Sequence, residues 1–308
     1  MRNRFVGGTG AVALAIATVA LGALPAAAQD PITITVWGHQ GQDNEVQATQ
    51  KAVDDFNALG NGIKVELTLI PEGDYGTTLG ATKPEDLPDV LELPGENASS
   101  LVYAGKLGDL GAVVDQATLD NQIGSAVAQN TVNGQRVALS QFDSGLALYG
   151  NKSMLDAAGV AYPTTWDKAW TAAEFEAALA ALAAKDEDGK VLDIKENYAG
   201  TWPGYAFLPI VNSAGKLAVK GGAAEGNLNA PEVAAALSQF ASWKQYVDPS
   251  ADDKAFTDGR AALAWVGHWQ YTVNKDALGD DLVVIPLPDF GFGTKSGQGS
   301  YAWGMSSS

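Results

Sequence analysis

An α/β architecture spread over about two domains is the fold this chain predicts. Strand-like and helix-like patterns alternate along its length. Its 308 residues, 46% of them hydrophobic, are enough to bury a large core. No internal repeat or long biased linker breaks the alternation.

The first 28 residues read as a signal peptide. Residues 1–4 carry Arg2 and Arg4, residues 5–24 are apolar or small, and Ala26-Ala27-Ala28 supplies a small-residue cleavage site before Gln29. A membrane anchor is the poorer reading, because Gly7, Gly8, Thr9, Gly10 and Pro25 dilute the run, and no later segment reaches the ~18 consecutive apolar residues needed to span. The expected location is therefore periplasmic, with cleavage near Ala28. The chain has no Cys, which removes disulfides, thiol nucleophiles, cysteine metal sites and a lipidated Cys tether.

Beyond the leader, Ile32-Thr33-Ile34-Thr35-Val36-Trp37 alternates faces as a strand. Residues 45–59 then turn Val46, Val53 and Phe56 toward one helical face, and Asn61-Gly62 leads into Ile63-Lys64-Val65-Glu66-Leu67-Thr68-Leu69, completing a β-α-β unit. The loop Gly38-His39-Gln40-Gly41-Gln42-Asp43-Asn44 follows the carboxyl end of the first strand, where open α/β sheets present ligand contacts. Residues 87–93 read as another strand, with Pro94-Gly95-Glu96-Asn97 as its exit loop before an Ala-rich helix. Apolar runs flank Gln141-Phe142-Asp143-Ser144-Gly145, which reads as a crossing between lobes, with Gly145 as an easy pivot.

Further on, Thr171-Ala172-Ala173-Glu174 is a capping box, and Phe175, Leu179 and Leu182 share the face of the helix it starts. Pro231-Glu232 opens a second helix expected to turn Val233, Leu237, Phe240 and Val247 inward. Sheet-like sequence returns at 261–266 and 282–287. The chain then reaches Gly304-Met305-Ser306-Ser307-Ser308 straight after a strand, which points to a truncated C-terminus.

Loss of Arg2 and Arg4 with the leader lowers Lys plus Arg from 19 to 17 against 36 Asp plus Glu, a net charge of −19. Nucleic acid and anionic lipid are poor partners for such a surface. The acids are scattered, in pairs such as Asp54-Asp55, Asp252-Asp253 and Asp280-Asp281, as on an ordinary solvated surface. Material for catalysis is scarce: His39 and His268 are the only histidines, so neither a His-rich metal site nor an evident serine triad is indicated. Asp186-Glu187-Asp188-Gly189 lacks the later ligands of a calcium loop and reads as an Asp-Gly turn. The Gly291 to Gly297 stretch lacks both P-loop spacing and a following helix, and reads as a surface connection. No cofactor or metal is expected. Residues 256–269, by contrast, set a short helix, a Gly turn and an apolar strand that delivers His268 and Trp269 at its exit, which is one way to offer an aromatic face to a sugar ring.

In this order, the β-α-β opening, Leu87-Pro88-Asp89-Val90, Leu148-Tyr149-Gly150-Asn151-Lys152, Pro163-Thr164-Thr165-Trp166-Asp167, Asn229-Ala230-Pro231-Glu232 and residues 256–269 resemble the extracellular solute-binding proteins of ATP-binding-cassette importers, in the maltose-binding-like, sugar-binding family. The resemblance covers nearly all of the chain beyond the leader. It implies a two-lobed periplasmic-binding-protein-like fold with a hinged inter-lobe ligand cleft. Residues 29–142 with 264–308 form the first lobe, and 143–263 the second. It further implies a monomeric, non-enzymatic receptor that carries a carbohydrate to membrane permease subunits. The chain departs from the family in Gly150, where an aromatic residue usually precedes Asn-Lys, and in lacking the family's C-terminal helices.

Carried over residue by residue, the resemblance nominates Trp37 and His39 at the first strand's exit, each with rim packing as the alternative. Glu96 and Asn97 lie where the family places a polar contact, Asn97 equally suiting a helix cap. Asp143 and Ser144 lie at the crossing. Trp202 and Tyr205 resemble the second lobe's aromatic platform, and adjacent Pro203 and Gly204 argue for a loop rather than a core helix. His268, Trp269 and Trp303 complete the set, whereas Trp166, Trp170 and Trp243 are expected to pack against helices. Two other functions remain open at this point: a secreted glycoside hydrolase, for which no carboxylate pair is nominated, and the same fold gripping a polyamine with aromatic walls and carboxylates.

Overall fold

The computed structural model describes residues 32–308 apart from 199, 201 and 251, so the expected signal peptide and its cleavage point lie outside the described residues. In chain order the strands are β1 (Ile32–Gln40), β2 (Ile63–Pro71), β3 (Val90–Pro94), a short hairpin of β4 (Thr131–Val132) and β5 (Gln135–Arg136), β6 (Ala138–Ser140), β7 (Leu146–Asn151), β8 (Leu192–Asp193), β9 (Leu263–Gly267), β10 (Leu282–Ile285) and β11 (Tyr301–Met305). The helices are α1 (Asp43–Ala58), α2 (Glu72–Ala81), α3 (Ala98–Tyr103), α4 (Gln116–Asp120), α5 (Gly124–Gln129), α6 (Lys152–Ala157), α7 (Ala172–Ala183), α8 (Trp202–Ser213), α9 (Pro231–Ser242) and α10 (Tyr271–Leu278). They surround two main sheets, one ordered β2-β1-β3-β11-β6 and the other β10-β7-β9-β8.

The opening β-α-β unit forms as expected. β1 and β2 pair in parallel from Ile32 opposite Ile63 to Gln40 opposite Pro71. Asn57 on α1 locks the crossover, its side-chain amide donating to Val65 O at 2.9 Å while its Oδ1 accepts from Val65 N at 2.7 Å. β3 lies parallel to β1, and β11 enters antiparallel between β3 and β6. Tyr75, Leu79, Leu91, Leu93 and Ala302 bury this sheet's core.

The second sheet is antiparallel where β7 meets β9 and β10, and parallel where β8 meets β9. Its larger core includes Phe175, Trp243, Phe256 and Trp265. The Thr171/Glu174 capping box is complete, and Phe175, Leu179 and Leu182 are buried as its spacing predicts. On α9 the buried stripe runs through Val233 and Ala236 to half-buried Phe240, an i, i+3, i+7 series that leaves Leu237 at its margin, 37% exposed. Trp166 is corrected from helix docking to exposure, because it stands on a 3-10 turn with no amphipathic face beneath it.

The chain leaves the first sheet after β6, at Gln141 to Gly145, where the crossing was expected. Its return is corrected. β9 and β10 both pair with β7, so residues 264–285 stay with the second sheet and the first is rejoined only at Tyr301. All five residues of β9 are buried, as befits a strand between β7 and β8 that is covered on both faces.

Gly150 also finds its explanation here. A Cβ on it would stand 2.9 Å from Leu155 Cδ1 and 3.0 Å from both Ile285 Cδ1 and Val283 Cγ2, so α6 and β10 close over a position with no room for a side chain. Gly150→Tyr is expected to lower stability by about 1–3 kcal/mol or more through overpacking, read as a fall in the urea midpoint; an unchanged midpoint would show that the sheet opens there without cost.

Candidate functional site

On the first sheet, the exit of β1 places His39 inside a cage of carboxylates. The ring is buried. Its Nδ1 lies 2.7 Å from Glu92 Oε2, which also accepts the His39 backbone N–H at 3.0 Å. Its Nε2 faces Glu45 Oε2 at 3.5 Å and Glu72 Oε2 at 3.4 Å. Tyr301 stacks on the ring with centroids 3.8 Å apart and a 16° interplanar angle, and its hydroxyl donates to Glu72 Oε1 at 2.6 Å. From below, the Tyr75 hydroxyl reaches Glu92 O at 2.7 Å and Trp37 O at 3.0 Å. Burial alone would depress the His39 pKa, but Glu45, Glu92 and Glu72 outweigh it and raise the imidazole to about 10. The same contact holds Glu45 below the usual carboxylate range.

On the second sheet, β9 ends at Gly267 and a 3-10 turn presents His268 to solvent and Trp269 half-buried. The Trp269 ring folds back over Gly267, where a Cβ would fall 1.9 Å from its Cζ3. Trp202 meets it edge-on, centroids 6.0 Å apart at 83°, and Tyr205 lies 6.3 Å away. The Tyr198 hydroxyl lies beside the indole N–H and is influenced by it. That hydroxyl donates in turn to Asp253 Oδ2 at 3.1 Å, which also accepts from Gln270 Nε2 at 3.0 Å. Buried Lys195 pairs with Asp253 at 2.8 Å and with Asp193 at 2.9 Å. A partly buried polar chain therefore backs Trp269.

Between the sheets, Asp143 is exposed and accepts from Ser125 Oγ at 2.6 Å. Ser144 is buried, its Oγ 3.3 Å from His268 Nδ1. Glu45 and Asp143 both act electrostatically on His268, whose pKa is nonetheless lowered by burial. Glu96 is exposed at the end of β3 and Asn97 half-buried beside it; Asn97 occupies the cap position of α3 without a side-chain capping bond. Trp303 is half-buried, its Nε1 donating to Gln141 Oε1 at 3.4 Å. Half-buried Trp37 packs against the first sheet's core.

Two expected platform residues have other work. Trp202 is a core residue, 7% exposed, whose Nε1 donates to Ile194 O at 3.1 Å. The expected loop is the first turn of α8, where Pro203 is tolerated because early helical amides need no partner. Tyr205 lies over the return crossing and donates its hydroxyl to Ser144 O at 2.7 Å. A Cβ on Gly299 would come within 2.4 Å of its ring.

Sequence reasoning passed over Glu45, Glu72, Glu92, Tyr198, Asp253 and Tyr301. Only Glu92 carried a visible signal, an acid between the two leucines of an apolar strand. A separate cavity of about 430 Å³ beside Trp202, Phe207, Phe240 and Trp243 is mainly apolar, and its charged residues Glu196 and Lys244 pair with each other. It offers little to a polyhydroxylated ligand.

A sequence model described as bacterial extracellular solute-binding protein matches residues 51–307. Among solved structures, an ABC substrate-binding protein of Listeria monocytogenes in complex with cycloalternan is 23% identical, with a TM-score of 0.74 over 90% of this chain and 71% of its own. The cyclic α-maltosyl-1,6-maltose binding protein of Arthrobacter globiformis is 23% identical, with a TM-score of 0.70 over 89% of this chain and 70% of its own. A maltose-bound protein of T. maritima is 23% identical, with a TM-score of 0.72 over 89% and 72%. At these identities the likeness is one of fold.

Gly267→Ala is expected to push the Trp269 ring off its seat, since Cβ and indole cannot share that space. The check is a red shift and stronger acrylamide quenching of tryptophan fluorescence relative to the parent; identical spectra would mean that the ring is not seated on Gly267.

Proposed function

This chain belongs to the bacterial extracellular solute-binding proteins, and we propose that it captures a carbohydrate between its two sheets and delivers it unaltered to the permease of an ATP-binding-cassette importer. The family binds solutes and does not transform them. The observation that carries the carbohydrate reading is Trp269: a half-exposed indole, seated on Gly267 and backed by the Tyr198 hydroxyl, at the exit of a strand facing the crossing.

A pyranose presents C–H patches and a rim of hydroxyls, so it needs a flat apolar face together with groups that accept and donate hydrogen bonds. The indole supplies the face at low conformational cost. Glu96, Asn97, Asp143 and His268 supply polar groups around it, each hydrogen bond to a charged group being worth about 1.5–3 kcal/mol. Structures of this fold solved with maltose and with cycloalternan support a sugar as the ligand class. Closure is a hinge motion about the two crossings, 141–145 and the segment leading to Tyr301, in a monomer working outside the cytoplasmic membrane.

The acidic surroundings of the site favour one other ligand, a polyamine. Thermal-shift and calorimetric screening of mono-, di- and oligosaccharides beside spermidine separates the two, because a ligand that binds only the folded chain raises its apparent stability. The expected result is a saccharide hit recovered intact; stabilisation by spermidine alone, or turnover of the sugar, would overturn the proposal. With the best saccharide, Trp269→Ala is expected to weaken binding by at least about 1 kcal/mol, roughly fivefold; equal calorimetric affinity would take this indole out of the site.

A further inference from the structure

The return crossing is clamped at both ends. Ser296 Oγ accepts Leu146 N at 2.7 Å and donates to Leu146 O at 3.0 Å, which fixes it to the start of β7 in the second sheet. At Ser300 the clamp belongs to the first sheet: Gln129, the last residue of α5, donates from Nε2 to Ser300 O at 2.7 Å and accepts Ser300 N on Oε1 at 3.1 Å. Ser300 Oγ also meets Ser140 Oγ, at the end of β6, at 2.7 Å. Between the clamps lie Gly297, Gln298 and Gly299. Gln298 turns its side chain to the first-sheet clamp, Nε2 reaching Gln129 Oε1 at 3.1 Å.

One ring occupies the space that side chains at 297 and 299 would need. A Cβ on Gly297 would stand 2.9 Å from Tyr205 Cε2, and one on Gly299 would stand 2.4 Å from the same atom. Neither glycine adopts the left-handed conformation that calls for glycine, so it is the close approach of the ring that excludes a side chain at both. The Tyr205 hydroxyl donates to Ser144 O, on the outgoing crossing, at 2.7 Å. The same ring lies 6.0 Å from Trp202 and 6.3 Å from Trp269 between centroids.

We propose that Gly297, Gln298 and Gly299 are the hinge of the return crossing, and that Tyr205 is the positioning residue that sets how the two sheets stand to one another. A hinge is a few residues that absorb the backbone change while the units on either side move as bodies. The Ser296 clamp moves with the second sheet and the Ser300 clamp with the first, so rotation falls on the three residues between them. Tyr205 belongs to the second half, and a rotation that lifts Gly299 off its ring or draws Ser144 O away loses contact at the seam. The arrangement in which all of these meet is favoured over its alternatives by that contact. The inference rests on the hinged-capture reading and deepens it, naming the residues that move and the side chain that holds them.

The test uses the full chain and no ligand, so its failure is distinct from a failure of the saccharide screen. The chain has no Cys. Ala52→Cys on α1 and Ser238→Cys on α9, both at exposed positions, therefore carry a single pair of spin labels whose separation pulsed electron paramagnetic resonance reads. The expected parent result is one dominant distance. Tyr205→Phe keeps the ring and removes one hydrogen bond, which should change the ratio of that distance to the others by about 2–10-fold. Tyr205→Ala should change it further. Gly299→Ala should also change it, but should add nothing in the Tyr205→Ala background, because the three atoms nearest its Cβ all belong to that ring. Tyr103→Phe, exposed on α3, should leave the distances as they are. Circular dichroism and urea unfolding accompany each variant, since a merely structural tyrosine would lower the urea midpoint and leave the distances unmoved. Tyr205→Phe differs by one atom and reads the hinge even where Tyr205→Ala does not fold. Unmoved distances in the Tyr205 and Gly299 variants, or an effect of Gly299→Ala undiminished without the ring, would overturn the proposal.

Discussion

The two sheets are held in register by one side chain laid across both crossings. Tyr205, on α8, rests its ring against Gly297 and Gly299 on the return crossing while its hydroxyl donates to Ser144 O on the outgoing one. Burial raises that hydroxyl to about 12, so it remains protonated, and a donor, at any ordinary pH. Neighbouring bonds tie the same seam: Ser296 Oγ receives Leu146 N at 2.7 Å, and His268 N donates to Gly145 O at 3.3 Å. Both crossings thus leave the seam at fixed places, so Asp143 and Ser144 reach the cleft from one and Tyr301 and Trp303 enter the first sheet from the other. The absence of side chains at 297 and 299 is what lets the tyrosine ring lie that close.

The first-sheet wall answers a different constraint. A buried carboxylate such as Glu92 is costly unless paired and hydrogen-bonded. Here it takes one bond from the His39 backbone and another from the ring, so a single oxygen ties the exit of β1 to β3 twice. Tyr75, donating to backbone oxygens of both strands, closes the same joint from beneath. The outcome is a rigid polar wall whose outward nitrogen faces two further acids. On the opposite side the wall is aromatic, and the two surfaces differ in the chemistry they offer a ligand: one orients hydroxyls or a cation, the other covers a flat apolar face.

Much of this was legible along the chain because periodicity and capping are local. The β-α-β opening, the Thr171/Glu174 box and Pro231 at a helix start all follow from residues within a few positions of each other, and all formed as read. The emergence of His268 and Trp269 from the end of a buried strand was equally local. What escaped was set by pairing across long separations. Nothing in the run from Leu263 to Gly267 says which sheet it joins, so the return was placed at 264 when β9 and β10 both belong beside β7. Trp202 was misread because Pro203 and Gly204 look like a loop, whereas a helix's first turn tolerates both. The carboxylate cage joins Glu45, Glu72, Glu92 and Tyr301 from α1, α2, β3 and β11, a convergence no single window contains.

Trp269 shows why the second wall needs a polar chain rather than more hydrocarbon behind it. An indole held only by apolar contacts could rotate about its side-chain torsions while burying similar area, because dispersion is weakly directional. The Tyr198 hydroxyl beside its N–H limits that freedom, and it is only as firm as its own partners make it. That hydroxyl is oriented by donating to Asp253, which Gln270 and Lys195 hold in place, and Lys195 is in turn paired with Asp193 beside β9. Burying Lys195 with two aspartates is a poor way to gain net stability, since desolvation consumes most of the attraction. Its return is directional: a set of polar contacts relates the position of β8 and β9 to the hydroxyl that backs one aromatic ring. The cavity beside Trp202 offers mainly hydrocarbon, and the seated ring at the exit of β9 is therefore the element of this half best suited to recognise a ligand by shape.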